Sequence, residues 1–298
     1  MTDSWMDTFQ RLVSEGETYL LLLPVYLGLL ASERIGHALL GRGRWDNRDA
    51  AANIFITGTV GLINVVIGHL LPIGVMAFLF EHARLFTLGD AWWGWALAFV
   101  LYDFCWYTDH RLGHRVGLFW AMHQVHHSSE EYNVTVASRG LVVDTTLLSR
   151  PLFYALPLFG VSPLQFLVVI LATNVWGIAQ HTRLVGKLPF FDWWFATPSN
   201  HRVHHGYNPE YIDRNYGEFL VVWDRLFGTY QHEGAEPTYG VIQPVGSYNP
   251  WTIQVAGFRW LAAKVRGAKG WREKIRCLYL PPEWKPATES PGCTPSSL

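Results

Sequence analysis

Long apolar runs separated by short polar links set the plan of this chain. Residues 1–17 are a polar, mildly acidic lead, and residues 18–40 are then dominated by Leu, Val, Tyr and Ala. About 20 residues of helix cross a bilayer core, so this first run is long enough to span one. No charged segment with a small-residue cleavage site precedes it, so it is expected to be retained. Glu33 and Arg34 interrupt it near its end and are either interfacial or paired inside, with the interface with water the favoured expectation. A polar connection with three arginines (residues 41–50) leads to a second apolar run, residues 53–80. Gly58, Gly61, Gly68, Pro72 and Gly74 break that run, which reads as one tilted helix or a helix with a kinked end. After a polar link at 81–90 comes a third, tryptophan-rich run at 91–107. Two more, 141–160 and 163–180, meet at a short turn through Val161, Ser162 and Pro163. Asp144 and Arg150 weaken the former, which is expected half-buried in protein, and both are near the minimum spanning length, with soluble core helices as the alternative. The pattern predicts an all-α fold, an integral membrane helical bundle of about four to five spans.

The third run feeds into DHRLGHRVGLFWAMHQVHHS, residues 109–128. It holds His110 and His114, four apart, then His123, His126 and His127. Residues three and four apart share a helix face, so each group would point its imidazoles one way. The spacer with Gly113 and Gly117 lets one helix end and another begin. His201, His204 and His205, in NHRVHHG, repeat the spacing of the second group, and His181 stands alone at the end of the last apolar run. A single histidine is most often a surface group or a hydrogen-bonded core group. Three clusters are different: protonated rings would repel, and buried neutral ones would each need a partner. Imidazole is the commonest metal ligand, and a structural zinc takes about four. Eight or nine imidazoles exceed one ion and suit two, with positions left open. His37, His69, His82 and His232 are isolated and are expected to be ordinary side chains.

If each run crosses once, the links place all nine clustered histidines, His181 included, on one side. That side also carries Arg42, Arg44 and Arg48 and the basic residues Arg259, Lys264, Arg266, Lys269, Arg272, Lys274 and Arg276. Loops rich in lysine and arginine stay in the cytoplasm, so the histidine-rich cap is expected there, at the inner membrane if the cell is bacterial. The expected division is membrane helices at 1–90, a catalytic domain at 91–232 and a cytoplasmic tail at 233–298. The end of that tail, PGCTPSSL, reads as disordered.

Composition narrows the chemistry. Half of the 298 residues are hydrophobic, 16% are charged, and the formal net charge is −1 with histidine neutral, which leaves no basic excess for nucleic acid. Cys105, Cys277 and Cys293 have no framework spacing and are expected as free thiols. No HExxH, GxSxG or cysteine-based zinc spacing occurs, and no GxGxxG follows a strand. Iron cycles between oxidation states and zinc does not, so a two-metal site fed by lipid fits iron activating dioxygen against an unactivated C–H bond. A metal-storing or metal-sensing protein without turnover is the alternative.

HRLGH, HQVHH and HRVHH resemble the H-x3-H, H-x2-HH, H-x2-HH pattern of the fatty acid hydroxylase / sterol desaturase superfamily. HQVHHSSEEYN, TPSNHRVHHGYNPEYIDRNYG and WDRLFGTY are similar to its alkylglycerol monooxygenase-like bacterial branch, over residues 92–230, and PPEWKP matches more weakly near the end. The resemblance implies two irons on the cytoplasmic face, held by His110, His114, His123, His126, His127, His201, His204 and His205, with His181 matching a further family histidine. It implies an oxygen-dependent lipid hydroxylase or desaturase acting on a sterol, fatty acyl chain or ether lipid. The electron donor it implies is tetrahydrobiopterin, as in the animal monooxygenase, or a cytochrome or ferredoxin. Asn200 and Arg183 depart from the pattern, standing where many relatives have histidine and glutamate. Metal-bound histidines usually donate their other N–H to a carboxylate or carbonyl, and Glu130, Asn133, Asn208, Asp213 and Asp224 are the candidates for such partners. No catalytic side chain is expected beyond the metal site.

Overall fold

The computed structural model describes residues 17–41, 45–63, 70–142 and 148–286. His69, Asp144, Cys293 and the PGCTPSSL segment lie outside the described residues. In chain order the helices are α1 (Glu17–Leu40), α2 (Asn47–Ile63), α3 (Leu70–Ala83), α4 (Trp92–Arg115), α5 (Gly117–His127), α6 (Pro163–Gln180), α7 (Pro189–Asp192), α8 (Pro198–His205), α9 (Val222–Leu226), α10 (Pro250–Gly267) and α11 (Trp271–Tyr279). The 3-10 segments Val134–Val136 and Pro151–Phe159 sit between α5 and α6. Among the described residues there is no strand, only the isolated bridges Phe195–Leu220 and Gly206–Tyr239, so the fold is all-helical as expected.

The apolar runs become helices in three different ways. The third run is one unbroken helix, α4, which extends through both histidines of the first pair. Residues 163–180 form α6, started by a capping box in which the Ser162 side chain accepts from the Gln165 N–H and Gln165 reaches back to the Ser162 N–H. Among the described residues α6 alone is long and apolar enough to cross a membrane, with 39% of it buried in the protein. The described residues of the second run lie in α2, which begins ahead of it at Asn47, and in α3, which carries its end. The run at 141–160 is not a regular α-helix. Its second half is a nine-residue 3-10 segment with Pro157 inside, too short at about 2 Å per residue to span a bilayer. It passes through protein, with Phe153 and Leu156 fully buried against Tyr102, Met76 and Phe166.

The ends of these elements fix the layout. Leu85 N–H donates to the Leu158 carbonyl and Leu88 N–H to that of Gly160, while Gln165 donates to the Gly89 carbonyl. The 81–90 link and the turn before α6 therefore meet at one end of the body. A Cβ at Gly160, which has φ +80°, would run into the Phe86 carbonyl, so the turn needs glycine twice over. The histidines gather at the other end. There α10 crosses α5 so closely that a Cβ at Gly257 would strike the Ala121 carbonyl.

Glu33 corrects the expectation that it faces water. It is buried, accepts from Val134 N–H (2.7 Å) and the Thr182 hydroxyl (2.9 Å), and lies 3.5 Å from His37. Beside it the loop after α5 is held by a buried ion pair. Arg139 donates to Asp49 on α2 (2.7 Å), to Asn53 (2.8 Å) and to Ser128 (2.9 Å), and Asp49 also accepts from Ser129 (2.6 Å). No buried side-chain nitrogen or oxygen of Arg139, Asp49, Asn53, Ser128 or Ser129 lacks a partner, which is the condition for a buried pair to hold a fold together. Removing one partner strands the other, so Arg139→Ala should destabilise the protein by about 3–5 kcal/mol. Pairing that change with Asp49→Asn should recover much of the loss, as read by thermal unfolding in detergent. An equal effect of the single and double variants would show that the pair carries no special weight.

Candidate metal centre

Four elements deliver the nine clustered histidines. The last turns of α4 carry His110 and His114. The chain then breaks at Val116, whose extended backbone (φ −120°, ψ 120°) starts α5 in a new direction with His123, His126 and His127. That corner is clamped by the C-terminal helices: Gly117 N–H donates to the Leu280 carbonyl, and the Cys277 carbonyl leaves no room for a Cβ at Gly117. Pro198 opens α8, where a missing N–H costs nothing, and α8 supplies His201, His204 and His205. His181 caps the end of α6.

The rings converge in two groups. His110, His114, His123, His127 and His204 form one, and His126, His181, His201 and His205 form the other, with the nitrogens of each group within 4.8 Å of one another. In the first, Nε2 of His123 lies 3.1 Å from Nε2 of both His110 and His127. In the second, Nε2 of His181 and His201 are 3.1 Å apart. The groups adjoin, since the rings of His127 and His205 stack with centroids 4.4 Å apart. The other described histidines stand elsewhere: His37 with Glu33, His82 against Phe78, His232 on the surface.

The outer nitrogens explain this convergence. Nδ1 of His110 meets the Tyr216 carbonyl at 2.8 Å, that of His204 the Arg214 carbonyl at 2.9 Å, and that of His181 the Gly177 carbonyl at 2.7 Å. A carbonyl only accepts, so each Nδ1 carries the proton and each Nε2 turns a lone pair inward. His114 Nδ1 is 3.6 Å from Asp213, which also pairs with Arg115. Burial holds His110, His123, His126, His127, His201, His204 and His205 neutral, lowering them well below the usual histidine range with their histidine neighbours adding to it, and burial lowers His181 to about 4. Four buried ring nitrogens, Nε2 of His114, His204 and His205 and Nδ1 of His201, have no hydrogen-bond partner. Neutral rings, lone pairs facing each other and orphaned nitrogens are the donor set of a metal site and an unfavourable arrangement otherwise.

The five residues expected as partners of the histidines divide. Asp213 faces His114. Burial raises its carboxyl, but His114 and Arg115 outweigh that and leave it below the usual carboxylate range. Asp224 acts one step removed: it accepts from the N–H groups of Tyr216 (2.8 Å) and Gly217 (2.9 Å), holding the loop whose carbonyl meets His110. Glu130 is exposed, Asn133 caps the 3-10 turn at Val134–Val136, and Asn208 ties the 236–238 loop, so none of the three is placed against a histidine. Asn200 likewise turns away from the rings and donates to the carbonyls of Asp192 and Phe195. Arg183 lies over the Tyr239 ring. The partners that composition could not reveal are the backbone carbonyls. One signal was present: Asp213 and Asn215 adopt φ of 59° and 54°, a left-handed bend that Asp and Asn tolerate, and it aims the 214 and 216 carbonyls at two histidines.

A cavity of about 710 Å³ opens onto the centre. His114, His127, His204 and His205 form its floor and Trp120, Trp260 and Trp284 its walls, and the PPEWKP segment closes one side. Arg115 pairs with Glu283 (2.8 Å) and Lys264 donates to the Pro282 carbonyl (2.8 Å), which hold that segment in place. Glu218 lies buried between α4 and α6, hydrogen-bonded to Thr173 and Tyr102 and with one carboxyl oxygen unpartnered. Burial pushes its carboxyl up to about 8 against the pull of Arg150, so it holds its proton at neutral pH. In the unfolded chain the same group ionises near 4.5. Between these values the folded state binds the extra proton, so this group's contribution to stability falls as pH rises through that window. Glu218→Gln should flatten the pH dependence of the thermal midpoint there, and an unchanged slope would contradict the assignment.

The fatty acid hydroxylase family model matches residues 95–229, a stretch that contains all nine converging histidines. The chain is 32% identical over 268 residues to an alkylglycerol monooxygenase of Danio rerio, covering 88% of this chain and 59% of that protein. It is 35% identical over 210 residues to the alkylglycerol monooxygenase of Xenopus tropicalis, covering 70% and 47%. A shorter match, 32% over 144 residues, covers 46% of this chain and 44% of the ornithine lipid hydroxylase OlsE of Rhizobium tropici. The chain thus spans about half the length of these relatives. No solved structure matches it. On the matched domain, the histidine groups it contains and the extent of these similarities, the chain belongs to the fatty acid hydroxylase family.

Proposed function

We propose that the protein is a membrane-embedded, non-haem di-iron oxidoreductase that uses dioxygen to hydroxylate, desaturate or oxidatively cleave a lipid at a C–H bond. The observation that carries this reading is the pair of adjoining groups of buried imidazoles under an open, tryptophan-walled cavity. One iron would be held among His110, His114, His123, His127 and His204, the other among His126, His181, His201 and His205. Bound there, iron would supply the redox chemistry with dioxygen that amino-acid side chains lack. The relatives matched over 268 and 210 residues are named alkylglycerol monooxygenases, which makes an ether-linked glycerolipid the first substrate class to test, ahead of sterols and fatty acyl chains.

The chain's own residues set the conditions. The carbonyls of Tyr216, Arg214 and Gly177 fix the tautomer and orientation of His110, His204 and His181. Asp213 does the same for His114 while Arg115 balances its charge. The aromatic walls keep water from the reacting carbon, and Glu218 is a buried, proton-bearing group near the same loop. Electrons would come from outside the chain, from a tetrahydrobiopterin, cytochrome or ferredoxin donor. A protein that only stored or sensed metal would have no use for a cavity of this size over its ligands.

Membrane embedding is supported by α6 and by large apolar side chains facing outward on α1, α2 and α3, among them Leu27, Phe55 and Phe78. Phe190, Phe191, Trp193 and Trp194, all exposed beyond the end of α6, resemble an interfacial aromatic belt. The lysine and arginine bias supports a cytoplasmic location for the histidine end.

Elemental analysis of detergent-purified protein should find two iron ions per chain, and His201→Ala or His123→Ala should each bring that number toward one. Mass spectrometry of lipids from cells with and without the gene should show a lipid changed by one oxygen or two hydrogens, with matching oxygen uptake. Metal binding without oxygen uptake would replace the enzyme reading with the storage one. Cysteines placed in 81–90 should react with a membrane-impermeant reagent only from outside the cell. Labelling of that link from the cytoplasm would overturn the topology.

A further inference from the structure

We propose that α11, together with the outer face of α10, docks on an anionic phospholipid surface beside the metal domain. The helix is amphipathic in an inverted sense. Cys277 is buried against the body of the protein, while Trp271, Ile275, Leu278 and Tyr279 are 68%, 47%, 38% and 53% exposed. At 3.6 residues per turn those four fall within an arc of about 100°, on the side away from Cys277. Lys274 borders the arc on one side and Arg272 and Arg276 on the other, all three exposed. A helix that packed only to complete a core would turn this face inward. One with aromatic and aliphatic residues outward between flanking cations has the composition of an interfacial helix.

Charge and position identify the occupant. Between 259 and 280 there are seven lysines and arginines against one acid, Glu273, in a chain whose formal net charge is −1. The cations are therefore concentrated here, and a juxtamembrane basic cluster is attracted to anionic headgroups. α10 is fixed at the head of α2: Ile253 packs with Ala52 and Ile56, and the Tyr248 hydroxyl donates to Asp46 (2.5 Å). That is where the second apolar run begins, so the helix pair hangs at the level where the chain would enter the bilayer; in this respect the inference rests on the embedding proposed above. α10 itself presents Trp251 and Phe258 outward. Two turns apart, they share one face of the helix. The consequence reaches the site, because α11 runs directly into the PPEWKP segment that walls the cavity. A lipid surface that orders α11 would also order that wall.

The test is hydrogen–deuterium exchange of the full chain in nanodiscs of phosphatidylcholine and of an equal mixture of phosphatidylcholine and phosphatidylglycerol. Amides of α11 should exchange about tenfold more slowly, or slower still, in the anionic discs, and high salt should remove the difference. Arg272→Glu with Lys274→Glu should abolish it while the rest of the chain exchanges as in wild type. Should that variant misfold, the salt titration of the wild-type protein decides alone. Equal exchange in both discs overturns the proposal. So does protection that persists in detergent, which would mean the chain covers its own face, or protection that appears only with two chains per disc, which would mean a second copy does. Protection of α6 in both discs reports embedding separately, so failure of that reading and failure of this one are distinguishable.

Discussion

The desolvation of the clustered imidazoles governs this structure. Taking so many ring nitrogens out of water is costly unless each finds a partner, and an unmet buried donor or acceptor costs about 1–3 kcal/mol. The protein meets part of the demand, supplying backbone carbonyls to Nδ1 of His110, His181 and His204 and the Asp213 carboxylate to His114. It leaves the inner part unmet, with lone pairs facing one another and four ring nitrogens orphaned. Such an arrangement persists only because the surrounding fold over-determines it, and a metal bound there would relieve it directly. Metal affinity and folding would then be coupled through the same atoms.

Several buried acidic groups serve that arrangement at one remove, by holding the chain around it. Asp224 binds the N–H groups of Tyr216 and Gly217, and Asp103, on α4, accepts from those of Phe219 and Leu220 and from the Trp223 indole (2.8 Å). Together they pin both sides of the loop that presents a carbonyl to His110. Asp109, next to that histidine, accepts from Leu152 N–H and joins the 3-10 segment to α4. Asp49 and Arg139 secure the loop that follows the second histidine group. Apolar packing thus supplies a scaffold, and buried carboxylates convert it into fixed carbonyl positions.

The same division explains why the fold tolerates an irregular crossing at 141–160. A chain that meets lipid must satisfy its backbone within a helix, whereas one enclosed by neighbours need not. With Phe153 and Leu156 packed among α3, α4 and α6, a 3-10 segment suffices there. Arg150, a charge within that run, finds a protein partner, lying 3.5 Å from the centre of the Trp106 ring.

The sequence by itself determined the helical class, the nine histidines that converge and the family, because all three are properties of local order: helix period, spacing and motif. His181, isolated in sequence, stands at the end of an apolar run, and the fold joins it to His201 at 3.1 Å. Tertiary structure decided the rest. The split into groups of five and four crosses the sequence clusters, sending His126 away from His123 and His204 away from His201. On one helix turn, residues three and four apart share a face, but which neighbour that face meets depends on how α5 and α8 cross. Nor could the order of residues show that Glu33 would turn inward, that Glu130 would stay outside, or that carbonyls would serve where carboxylates were expected. A carbonyl is present at every residue, so its role is set by where the backbone bends and never by which side chain it carries.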